Sequence, residues 1–108
     1  MNVFAISFSI KFDTTYDERY DSLMSAIRMC DRLWDETTSF CLVGTNETLG
    51  MLEHRLYMTQ FSPHRDKLLI MDVGFDRAVA RGNISYPATL KGLMPNCDVK
   101  QANALAGY

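Results

Sequence analysis

Four carboxylates, Asp13, Asp17, Glu18 and Asp21, crowd one short stretch of the chain, and oxygen-rich groups of that kind can hold magnesium or calcium. The stretch has neither the ligand spacing nor the central glycine of an EF-hand loop. It also opens a segment of helical periodicity, where acidic side chains favour the positive end of the helix dipole. A solvated helix start is therefore expected, and no metal site. His54 and His64 are the only histidines, and a histidine beside a carboxylate can serve as a general base. Glu53 precedes His54, yet neighbours in sequence point apart on a helix, and no H-E-x-x-H frame surrounds them. His64 lies in Ser62-Pro63-His64-Arg65-Asp66-Lys67, a loop with two further basic residues that suits contact with a phosphate or an acidic partner.

No nucleophile can be named, because the serines form no G-x-S-x-G elbow. Gly44, Gly50, Gly74 and Gly82 are scattered and match neither the P-loop nor the dinucleotide fingerprint, so no nucleotide or other cofactor is expected. Cys30, Cys41 and Cys97 are an odd number at long spacings, which suggests neither a disulfide framework nor a zinc site and fits a reducing, cytoplasmic setting. Basic residues form three small groups: Arg28 and Arg32, then His64, Arg65 and Lys67, then Arg77 and Arg81. These seven are the candidate contacts for a nucleic acid or protein partner, although Asp31, Asp35, Asp66, Asp72 and Asp76 interleave with them. Trp34 and Tyr57 could stack on bases, but a lone tryptophan beside a hairpin suits a core or an interface.

These groups are positioned by alternating strand and helix signals. Phe4, Ile6, Phe8, Ile10 and Phe12 alternate with Ala5, Ser7, Ser9 and Lys11, which predicts a strand with one buried face. Tyr20, Leu23, Met24, Ile27 and Cys30 recur at steps of three and four and predict a helix, with Arg28 and Arg32 near its end. A short strand around residues 32–35 and a second from Ser39 to Val43 flank the turn-like Asp35-Glu36-Thr37-Thr38 and predict a hairpin. Gly44-Thr45-Asn46 is expected to break that strand, with Thr45 or Asn46 capping a second helix that carries Leu49, Leu52 and Leu56 on one face. Lys67 to Val73 predicts a fourth strand, and the unalternating Leu68-Leu69-Ile70-Met71 is expected to lose water on both faces. After Gly74 the signal weakens to a turn at 78–82, a strand or helix at 86–94 and a weakly structured tail at 95–108.

The pattern predicts an α+β, ferredoxin-like β-α-β-β-α-β sandwich: a four-stranded antiparallel sheet with two helices on one face and a C-terminal extension. One domain over residues 1–94, including a dimerisation segment, accounts for the length of 108 residues. A composition of 47% hydrophobic and 22% charged residues is that of an ordinary globule, and a net charge of −2 offers no general attraction to phosphate backbones or anionic lipid. The apolar N-terminus alternates and contains Lys11, unlike a secretion signal, and no window approaches a membrane span. The sheet's second face would carry Ala5, Ser7 and Ser9 beside the apolar Leu68, Leu69, Ile70 and Met71, a surface suited to a homodimer.

Ile6-Ser7-Phe8-Ser9-Ile10, then Tyr20 to Ile27, Trp34, Thr38 to Val43 and Asp66 to Val73 together resemble the small stand-alone relatives of CRISPR-associated protein two (Cas-two). The resemblance covers roughly residues 3–82 and lies in the order and spacing of the segments. It implies a homodimer in which the chain after the fourth strand crosses to the other subunit, and a role as adaptor in spacer integration or as a metal-dependent nuclease. The metal ligand implied for the nuclease is an aspartate at the end of strand one. Ser9 stands there and offers no carboxylate for a hard cation. Three readings follow: a non-catalytic dimeric binding or scaffold module for a nucleic-acid-handling complex, a protein–protein regulator such as an antitoxin or phage-encoded inhibitor of a defence complex, and a nuclease with a relocated site at Asp13 or Asp72.

Overall fold

The structure, a computed structural model, describes residues 1–101. Its elements are β1(Asn2–Ser9), α1(Tyr16–Ile27), β2(Arg32–Trp34), β3(Phe40–Thr45), α2(Leu49–Tyr57), β4(Lys67–Asp72), β5(Ala78–Gly82), α3(Pro87–Leu93) and β6(Cys97–Gln101). β1 to β4 form one antiparallel sheet in the order β2-β3-β1-β4. The described residues are thus α+β, with a four-stranded antiparallel sheet and three helices.

The period-two pattern of β1 decides which side of this sheet is filled first. Phe4, Ile6 and Phe8 pack with Leu23, Met24, Ala26 and Ile27 of α1, Cys41 and Val43 of β3, and Leu52 and Leu56 of α2. Each such fully buried large side chain contributes about 1.5–3 kcal/mol relative to an exposed one. Ile10 joins this core only in part, and Phe12 lies beyond the end of β1, exposed to solvent. The expected alternation therefore holds to Ser9 and then gives way to the chain's turn into α1.

Three expectations about β3, α2 and β4 are corrected. Gly44 and Thr45 belong to β3 instead of breaking it. A Cβ at Gly44 would come within 2.6 Å of Met1 Sδ and 3.2 Å of Leu93 Cδ2, so the glycine marks a close approach inside the strand. Thr48, not Thr45 or Asn46, caps α2 by accepting the Met51 N–H at 3.2 Å. Among the described residues β4 is an edge strand that pairs with β1 alone. Its Leu68 and Ile70 turn toward the helices, whereas Leu69 and Met71 remain 56% and 44% exposed, so the strand is not dry on both faces.

The C-terminal third departs furthest from the sequence reading. Residues 78–82 form a strand rather than a turn, and 86–94 contain a helix with Pro87 in its first turn. The tail from residue 95 carries β6, which pairs in parallel with β5 from Ala78↔Cys97 to Gly82↔Gln101; residues 102–108 lie outside the described residues. This β-α-β unit packs on the sheet's second face, where Ala5, Trp34 and Leu42 meet Leu90, Leu93, Met94 and Cys97 in a second core. Part of the face expected to await a second subunit is thus covered by the chain itself. Ala78 and Ala80 explain why the sequence concealed this: small side chains suffice against a close sheet and carry little strand signal.

Candidate functional site

Of the acidic stretch after β1, Asp13 is taken up by packing, whereas Asp17, Glu18 and Asp21 are exposed on α1, as expected of a solvated helix start. Arg19, 3% exposed, lies on the inward stripe of α1, four and eight residues before Leu23 and Ile27. It binds Asp66, Asp13 at 2.6 Å and the Lys11 carbonyl at 2.8 Å. Asp66, buried in the turn before β4, also accepts the backbone N–H groups of Lys11 and Ser62 at 3.0 and 2.9 Å. Burial pushes its carboxyl upward, but the guanidinium and the two N–H donors outweigh this and hold it below the ordinary value. Asp13 is held well below the carboxylate range, chiefly by Arg19 and then by the Thr15 N–H. The network ties the end of β1, the start of α1 and the entry to β4 together. The helical spacing of Arg19 among apolar residues was its one signal in the sequence.

A second lock joins the two helices. Arg55 grips Glu47 through two bonds of 2.8 Å, donates to the Ala26 carbonyl and reaches Cys30 Sγ at 3.3 Å. Desolvation nevertheless raises the Cys30 thiol, and burial pushes that of Cys41 up to about 11, so neither is set up as a thiolate nucleophile.

The third cluster was not legible in the sequence. Glu36, in the β2–β3 turn, accepts the Ser85 and Tyr86 N–H groups, the latter at 2.8 Å, and the Trp34 indole N–H at 2.8 Å. Desolvation raises its carboxyl, yet these donors together leave it below its ordinary value. One carboxylate thereby fastens the entry to α3 onto the four-stranded sheet. Between that sheet and β5 lies an open cavity of about 500 Å³, floored by Ala5, Phe40, Leu42 and Met71, with Trp34 on one side and Ala78 to Arg81 along another.

The seven basic candidates do not converge. Arg28 caps α1 and Arg32 opens β2, opposite Gly44 and hence near Val3, at one end of the sheet. His64, Arg65 and Lys67 sit at the other end, where Lys67 opposes Ser9. Arg65 is paired with Asp13 at 3.2 Å. Arg77 precedes β5 and Arg81 lies on it, beside the cavity. His54 is exposed on α2, and among the described residues no group of three or more His, Cys, Asp or Glu side chains is placed to hold a metal. Asp72 opposes Phe4 and so lies at the far end of the sheet from Asp13. No helix of the described residues is long and apolar enough to cross a membrane. Comparison with protein-family models, curated proteins and solved structures returns no match.

Proposed function

We propose that this protein is a non-catalytic, dimeric binding module whose partner is a protein, built on a ferredoxin-like sandwich with a β-α-β unit added on its second face. The strand order β2-β3-β1-β4 and the two helices over one face support the ferredoxin-like assignment. Kinship with the Cas-two relatives is part of the proposal and rests on the segments that resemble them. A protein partner is favoured over a nucleic acid because the basic residues are divided between opposite ends of the sheet and Arg65 is already engaged. A phosphate backbone is gripped by several cations along one track.

The observation that carries the dimer is the edge of β4, unpaired among the described residues, with Leu69 and Met71 exposed beside it. Such an edge is a template for another strand. A second β4 running antiparallel about a two-fold axis would pair both edges and set Leu69 of each copy near Met71 of the other. Light scattering at micromolar concentration is expected to give twice the 12.3 kDa chain mass, and Leu69→Lys to give a folded monomer. A full-length protein that stays monomeric overturns the dimer. Binding to DNA or RNA that weakens steeply with salt overturns the preference for protein, and magnesium-dependent cleavage abolished by Asp13→Asn or Asp72→Asn overturns the non-catalytic reading.

A further inference from the structure

We infer that the groove between β5 and the second face of the four-stranded sheet is a docking site for an extended, alternately apolar and acidic segment of a partner protein, which adds as a strand to the free edge of β5. This rests on the proposal that the partner is a protein. It goes beyond that proposal by naming where the partner binds and in what conformation.

Four successive residues, Ala78, Val79, Ala80 and Arg81, line one side of the groove. Side chains alternate along a strand, so a wall made by four in a row is formed by the backbone edge rather than by one face. β5 pairs with β6 alone among the described residues, leaving that edge without a strand partner. Apart from Thr37 the rest of the groove is apolar: the half-buried Phe40 and Val73 and the exposed Met71 form its accessible floor, above the buried Ala5, Leu42 and Trp34. A lipid or other small apolar molecule could fill the floor but could not satisfy a row of backbone donors and acceptors. An extended peptide does both, taking main-chain hydrogen bonds from the edge and placing every second side chain in the floor.

Charge selects the remaining side chains. Among the described residues Arg81 is the only charged one lining the groove, and it takes part in none of their ion pairs. Ala78 and Ala80 pack toward the second core, so Arg81 shares with the exposed Val79 the opposite, outward side of β5, which also continues the register of Arg77. A strand added here would turn its apolar residues inward and its intervening residues outward beside Arg81. Acidic side chains at those outward positions make favourable cross-strand pairs, whereas basic ones are repelled.

The test uses the full-length protein and the blocked peptide Glu-Val-Glu-Val-Glu-Val-Glu. Trp34 is the only tryptophan, so its emission reports the groove directly. The peptide is expected to shift that emission saturably, and its Lys-for-Glu counterpart to bind at least tenfold more weakly. Arg81→Glu, a surface change, should reverse this order. Two further peptides carry N-methyl groups on alternate residues in the two possible phases: one phase should abolish binding and the other leave it, because only one set of N–H groups faces β5. No saturable shift, equal binding by both methylated phases and the parent, or a shift produced by decanoate and not by the peptide each overturns the inference. Light scattering on the same samples separates this result from the dimer: a monomer that binds the peptide removes only the dimer, and a dimer that ignores it removes only the docking site.

Discussion

At Asp66 a single carboxylate receives a guanidinium and two backbone N–H groups, and its side chain is fully buried. Removing it leaves Arg19 charged and enclosed, with Asp13 as its remaining carboxylate beside the Thr15 hydroxyl and the Lys11 carbonyl. Asp66→Ala is expected to cost about 3–5 kcal/mol in chemical denaturation, the range for breaking one side of a buried pair. Its folded pKa lies below the ordinary 3.8, so the unfolded chain binds the proton more readily. The stabilisation is therefore complete above that value and is lost as pH falls through it toward the lower folded value. Urea midpoints of the native protein should drop steeply below about pH 4, and those of Asp66→Asn should drop less. Equal acid sensitivity of the two would remove Asp66 from the explanation.

Among the elements, β1 and the β2–β3 turn carry the most consequence. Phe8 is buried between α1 and the sheet and meets Tyr20 at a ring separation of 6.1 Å. Phe8→Ala should destabilise the fold by about 3–5 kcal/mol, since a large core side chain leaves a cavity that neighbours fill only in part. A loss below about 1 kcal/mol would contradict its placement. Glu36 acts differently, because it fastens one unit to another rather than filling a core. Glu36→Ala is expected to leave the global unfolding transition largely in place while residues 78–101 lose hydrogen-exchange protection and Trp34 emission moves to the red. Unchanged protection there would show that apolar packing of α3 holds the unit without the carboxylate.

For the whole molecule, the two faces of the sheet are covered by different means. α1 and α2 close one face with large side chains at helical spacing, and the β5-α3-β6 unit closes part of the other with Leu90, Leu93, Met94 and Cys97. A chain ending at Val73 would uncover Ala5, Leu42 and Trp34 beside the β4 edge, which no other described strand pairs. Such a truncation is expected to aggregate or to bind a hydrophobic dye strongly, whereas the full chain does neither. A soluble, dye-silent truncation would show that the second core contributes little to solubility.

The residues that determined their own structure did so through short-range periodicity. Alternation along Phe4 to Ser9 and the three- and four-residue steps of Tyr20 to Ile27 set a strand and a helix whose inward faces were legible before any contact was known. Ser9 is equally legible, because the absence of a carboxylate is a property of the side chain alone. Only the tertiary structure decided that Arg19 and Asp66, 47 residues apart, share one site, and that Glu36 reaches Ser85 and Tyr86 across 49 and 50 residues. Nothing local distinguishes those polar residues from solvated ones, since their partners are chosen by how elements pack. The same reason hid the second face: Ala78, Ala80 and Gly82 have too little side chain to announce a strand, and they become one because Cys97 to Gln101 lies alongside.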